Sequence, residues 1–238
     1  MKWEPPGGRP TGMGGDRAGK SDQLDGESKV RFSNSPYSDQ ASSDSRKPGT
    51  IGDEDARGFV SAFWRHLKQE AIDIPAGAVI DAKRAAAYHE AGHVVVAATN
   101  GIIAEKVHIW PVEMPERVDW FGHTALGNEW INRATARYLR QAQITLAGLM
   151  AEWIYVSPYI EIEFCEELAV AVGAALIAAH EVGRDLKALW PEVIAETKSV
   201  LKAHAPIVHA VAHRLMRKRR VNAVMLRKLL APVLEHAA

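Results

Sequence analysis

The chain has 238 residues, 47% of them hydrophobic, enough for one good core or two small ones; one core is the expectation. Its formal net charge is +0, so no global field gathers nucleic acid or an anionic membrane, and neither is expected as a partner. Cys165 is the single cysteine, which excludes an internal disulfide and any cysteine-based zinc cluster and fits a reducing compartment.

The opening MKWEPPGGRP has no apolar stretch of the signal-peptide kind. Up to residue 56 the chain is rich in Gly, Pro, Ser, Asp, Lys and Arg, and it buries too little apolar surface to offset its chain entropy. Residues 1–56 therefore read as a disordered tail and 57–238 as the folded domain. Phe59, Val60, Phe63, Trp64 and Leu67 recur at helical spacing and predict an amphipathic helix over 57–71, broken by DIPAG at 73–77. A second helix starts near Asp81 and stops at Asn100-Gly101. In AEKVHIWP, Val107 and Ile109 alternate with Lys106 and His108, and WFGHTAL resumes extended-type residues, which predicts two paired strands.

Asn132 is placed to cap a long helix with an apolar stripe of Tyr138, Ala142, Leu146, Leu149, Met150 and Trp153, closed by Ser157-Pro158. Helices are expected over 163–189, over 192–204, after Pro206 and over 221–236. The fold class is mostly α with a small β-sheet. The longest apolar run, LAVAVGAALIAA at 168–179, is well short of the roughly 20 residues that span a bilayer, so a cytoplasmic protein with no membrane span is expected.

Chemistry concentrates in AAAYHEAGHVVVAATN, residues 85–100. Positions i and i+4 of a helix are neighbours about 5–6 Å apart at Cβ, so His89 and His93 can turn their imidazoles to one metal ion. Glu90 sits one step round, suited to hold a water as general base in the H-E-x-x-H arrangement. A chain of this composition is expected to contain only about 0.03 chance matches to these three positions, which favours a site over two core histidines. Gly92 adds to this: glycine inside a helix costs about 1 kcal/mol relative to alanine, so another backbone or side chain is expected to pass close, as at a cleft.

HEAGH followed by VVVAATNGIIAEKVHIWP resembles the peptidase domain of the FtsH-type AAA+ metalloprotease family, in which a K-V-x-I-x-P strand follows HEAGH. LAGLMAEWIY resembles that family's helix ending A-E-E-x-I-Y/F, and TKSVLKAHAPIVHAVAHRLMRKRRVNAVMLRKLL its C-terminal helices, so the likeness runs from about Asp81 to Val233. It implies a zincin-like zinc metalloendopeptidase that cuts unfolded polypeptides: an HEXXH helix, two strands and a C-terminal helical bundle. A catalytic zinc takes three protein ligands and one open position. The family's third ligand is an aspartate in N-D-I/L, for which GRDLKAL supplies Asp185, the only aspartate after Asp119. Glu152 is its rival and fits better as a residue orienting a ligand histidine, with His180 and Glu181 as further candidates.

Family members usually carry a membrane anchor and an ATPase module. This sequence has no apolar span, and its one G-x-x-x-x-G-K-[ST] match, GGDRAGKS at 14–21, falls in the stretch read as a disordered tail rather than between a strand and a helix, so a separate AAA+ ATPase and a homo-oligomer are the partners the resemblance allows. His209 and His213 also stand at i, i+4, but Ala210 takes the place of the base and a partly exposed helix face is expected. RKRR at 217–220 reads as a solvated helix end. The expected mechanism has Glu90 accept a proton from a zinc-activated water, with substrate paired along the Lys106 to Trp110 strand. The alternative is a catalytically silent adaptor or binding module of a larger proteolytic assembly.

Overall fold

The computed structural model describes residues 58, 59, 61, 81–127, 137–156 and 166–237, all within one compact unit. The expected tail over 1–56, the Asn132 cap and the Ser157-Pro158 stop lie outside the described residues. So does most of the expected first helix; of it, Gly58, Phe59 and Ser61 are helical, and Phe59 is buried edge-on to Trp190 at 6.3 Å.

The helix α1 spans Ala82–Thr99. Asp81 caps its start by accepting the Arg84 N–H, and at its end Gly101 adopts φ 72 while the Ile102 N–H returns to the Ala97 carbonyl. Tyr88, Val94, Val95 and Val96, with alanines between them, are buried on every side of the helix, as a central element requires. Strands β1 (Ala104–Glu113) and β2 (Val118–Leu126) form an antiparallel hairpin in which His108 lies opposite His123 and Val107 opposite Thr124. Five helical elements and one short strand follow: α2 (Arg137–Tyr155), α3 (Glu166–Glu181), α4 (Leu186–Ala203), α5 (Ala205–Lys218), β3 (Arg220–Asn222) and α6 (Ala223–Ala237). Among the described residues the fold is mostly helical with one three-stranded antiparallel sheet in the order β2-β1-β3. α1 packs against α2, β1, β2, α5 and α6, so the core wraps the helix that carries the histidines. Among the described residues no helix is long and apolar enough to cross a membrane.

Three expectations need correction. The helix expected over 163–189 is two, because Gly183 takes φ 66 after α3 and Asp185 caps α4, accepting the Lys187 N–H at 3.0 Å. Pro191, which falls between the helices expected over 163–189 and 192–204, lies inside α4, where it removes one backbone bond without ending the helix. The last helix was expected from 221, but Arg220, Val221 and Asn222 pair with His108, Val107 and Lys106 as β3. Over those residues β1 is therefore flanked on both sides and offers no free edge for a substrate; among the described residues β2 and the three-residue β3 are the outer strands. The basic run divides accordingly: Arg217 and Lys218 end α5, Arg219 turns at φ 58, and Arg220 opens β3.

Gly92 is where α2 comes closest. A Cβ on Gly92 would fall against the Ala147 carbonyl oxygen and 2.6 Å from the Ala151 Cβ, so the crowding expected from the sequence comes from a packed helix backbone rather than from the rim of a cleft. Alanine would gain about 1 kcal/mol of helix propensity. A collision with backbone cannot be relieved by a rotamer, however, and overpacking of this kind costs about 1–3 kcal/mol. Gly92→Ala should therefore lower the urea unfolding midpoint, and a variant as stable as the wild type would show that α1 and α2 can separate without cost.

Candidate metal centre

His89 and His93 are one turn apart on α1, their rings 4.8 Å apart between centroids. The face of α2 that crosses α1 fixes both on their inner sides. The His93 Nδ1–H donates to the Ile144 carbonyl at 2.7 Å, and His89 Nδ1 lies 3.3 Å from Glu152 Oε2. A carbonyl only accepts, so the His93 proton sits on Nδ1 and the Nε2 lone pair turns the other way. Gly148 makes room for both rings: a Cβ there would fall on His93 Nε2 and 2.6 Å from His89 Nε2.

The two Nε2 atoms face one carboxylate, that of Glu167 in the first turn of α3. Glu167 Oε1 lies 2.9 Å from His93 Nε2 and Oε2 lies 3.2 Å from His89 Nε2. One donor atom from each of the three residues falls within a group spanning 4.8 Å. Donor atoms on a tetrahedral zinc, with bonds of about 2.0–2.2 Å, stand roughly 3.3 Å apart, the scale seen here.

The chemistry of the donors calls for a cation as well. Carboxylate oxygens and the Nε2 of a neutral imidazole are all acceptors, and acceptors facing one another in a buried site need a proton or a metal ion between them. The charges reflect this need. Burial works against a charged His89, yet Glu167 and Glu152 outweigh it and hold that imidazole well above its ordinary value. Burial likewise works against an ionised Glu167, but His89 and His93 hold its carboxyl far below the usual range, and the helix N-terminus favours the same anion. Residues of this kind fit a divalent metal: two imidazoles, an ionised carboxylate and a glycine where a side chain would block them.

Glu90 is buried beside this group and accepts a hydrogen bond from the Thr124 hydroxyl at 2.5 Å. Burial pushes its carboxyl up, against the opposing pull of His93, His89 and the Thr124 hydroxyl.

The structure thus brings His89, Glu90 and His93 together and gathers Glu167 with the histidines. It does not bring in Asp185, which is exposed and occupied as the cap of α4. His180 and Glu181 are exposed at the far end of α3, about 20 Å along the axis from Glu167. Glu152 touches His89 from behind, and its Oε1 is buried without a hydrogen-bond partner among the described residues. His209 is engaged elsewhere, its Nδ1 2.8 Å from the Tyr88 hydroxyl, and His213 is exposed.

Glu167 was missed because the resemblance pointed to an aspartate, Asp185, and the alternatives to it were Glu152, His180 and Glu181. A weak signal was present: Glu166-Glu167-Leu168 opens an apolar helix with a carboxylate before leucine, as in the D-I/L part of N-D-I/L, with the longer acid and with Glu166 in place of the asparagine. Neither protein-family models nor curated proteins give a match to this chain.

Zinc added to metal-free protein should raise its unfolding temperature, since a ligand that binds the folded state alone stabilises it. Glu167→Ala should weaken zinc binding at least tenfold and remove most of that rise. Gly148→Ala should do the same with every ligand intact, whereas Asp185→Ala should keep full zinc binding and lose about 1 kcal/mol as a missing helix cap. Calorimetry and elemental analysis check all three; zinc lost in Asp185→Ala and kept in Glu167→Ala would reverse the assignment.

Proposed function

We propose that the protein is a zinc-dependent metalloendopeptidase that hydrolyses peptide bonds of unfolded polypeptides. The observation that carries this reading is the convergence of His89, His93 and Glu167 on one point beside a buried carboxylate, Glu90, that is not itself in the ligand group. The likeness of HEAGH, KVHIWP and LAGLMAEWIY to FtsH-type peptidases, and with it a zincin-like fold, supports the same reading. Two histidines and a glutamate would make the three-ligand set of a catalytic rather than a structural zinc.

When bound, the zinc ion supplies Lewis acidity toward a water molecule and the scissile carbonyl. The chain's own groups do the rest. His93 is oriented by the Ile144 carbonyl and His89 by Glu152, so both Nε2 atoms stay turned to the point where Glu167 meets them and where they would hold the ion. Glu90 accepts the proton of the attacking water and passes it to the departing amine as the C–N bond breaks, and its raised pKa moves it toward the range where a base works best. Among the described residues no further strand pairs with the outer edge of β2, which offers an extended peptide an edge above the face on which Gly122 and Thr124 meet Glu90. Main-chain pairing reads few side chains, so specificity is broad.

Glu90→Gln separates metal binding from catalysis. It keeps the shape and both histidines but removes the group that takes the proton. General-base assistance is worth about 10²–10⁴-fold. Cleavage of an unfolded substrate such as casein should fall at least a hundredfold with zinc content and unfolding temperature unchanged. Equal rates in wild type and variant would remove Glu90 from the chemistry, and a wild type that holds zinc but cuts nothing would favour a binding module.

A further inference from the structure

The sheet meets Glu90 at two places. Thr124 is buried in β2 and donates its hydroxyl to Glu90 Oε2. Two residues earlier, on the same face of the strand, Gly122 lies against the same carboxylate, and a Cβ there would fall on Glu90 Cγ and Oε1 and 2.7 Å from Cδ. In the adjacent strand Val107 lies opposite Thr124 and Ile109 opposite Gly122, and both are buried, so strand pairing and core packing set the height at which these two residues meet the helix. A glutamate side chain has three rotatable torsions and no intrinsic reason to hold one of them. Here one oxygen is tied by a short hydrogen bond to an ionisable carboxyl, among the stronger kinds, and the other occupies space that a side chain at position 122 would take.

We infer that Thr124, with the gap left at Gly122, positions the Glu90 carboxylate for proton transfer. The inference rests on the reading of Glu90 as the base. Thr124 makes its hydrogen bond to Glu90, so it is a positioning residue acting through Glu90. Displacing a catalytic group by about 1 Å can cost on the order of a hundredfold in rate, and the loss appears in the chemical step rather than in substrate affinity.

The test uses the full chain, loaded with zinc, as wild type, Thr124→Val, Thr124→Ser, Glu90→Gln and the Glu90→Gln/Thr124→Val pair, with zinc stoichiometry and unfolding temperature measured beside kcat and KM on an unfolded peptide. Thr124→Val should lower kcat by about tenfold or more with KM within about twofold and zinc unchanged. Thr124→Ser, which restores the hydroxyl in less volume, should recover most of that loss. In the Glu90→Gln background Thr124→Val should cost less than about twofold, because residues that act through one another are not additive. A Thr124→Val as fast as the wild type, a Thr124→Ser as slow as Thr124→Val, or zinc lost from Thr124→Val would each overturn the positioning role. Glu90→Gln cutting at the wild-type rate, or a wild type that cuts nothing, overturns the hydrolase reading first and this role with it. An unimpaired Thr124→Val beside a crippled Glu90→Gln overturns this role alone.

Discussion

The close crossing of α1 and α2 is the constraint from which the site follows. Ile144, Ala147, Gly148, Ala151 and Glu152 recur at the spacing of one helix face, and that face is spent on α1. Its small residues let the backbones approach until the Ala147 carbonyl abuts Gly92 and Gly148 lies under both imidazoles. Its two ends supply the acceptors that hold the rings, a main-chain oxygen for His93 and a carboxylate for His89. Larger residues at 92 or 148 would separate the helices. The ring orientations would go with them, so packing and site are here one design.

Charge explains why such a site persists in a core. Three carboxylates, those of Glu90, Glu152 and Glu167, lie in or beside a buried site whose basic groups are the imidazoles of His89 and His93. Buried charges left uncompensated cost several kcal/mol each, and polar groups arranged acceptor to acceptor gain nothing from proximity. Either protons or a metal ion must supply the missing positive charge. A divalent ion answers all of it at one point, and the tautomer imposed on His93 by the Ile144 carbonyl leaves the correct nitrogen free to meet it.

Much of this was legible in the sequence, though not all by the same route. His89, Glu90 and His93 could be read because their relation is local: four residues of helix fix the geometry. The mid-helix Gly92 correctly signalled a close neighbour, since its cost in helix propensity has to be offset by something outside the helix. The hairpin and the long α2 stripe were likewise written in periods of 2 and 3.6. Glu167 was harder, because a group that meets the histidines from another helix is placed by tertiary packing, and the resemblance pointed to an aspartate although either acid can bind a metal. Asp185 looked eligible by type, but before an apolar helix an aspartate is first of all a cap. β3 left no pattern because three residues cannot display a period. Thr124 and Gly122 could not be read at all, since nothing local links them to a glutamate on α1; the link is strand register.

The two acids nearest the histidines are driven in opposite directions by their surroundings. Glu167 meets two imidazoles and the N-terminus of α3, and these hold it ionised through any ordinary pH. Glu90 lies one step round the helix from His89, in a drier place with one hydroxyl for company, and burial raises it. A pair of like groups pushed apart in this way is how one fold supplies two roles at one pH: the lowered acid suits a permanent ligand, the raised one a group that gains and loses a proton. On the hydrolase reading this division makes Glu90 the base although both acids lie within reach of the histidines. It also explains why the sheet is needed. A ligand is held in place by the ion it binds, whereas a base that must stay off the ion has to be held by something else, and β2 is the element in contact with it.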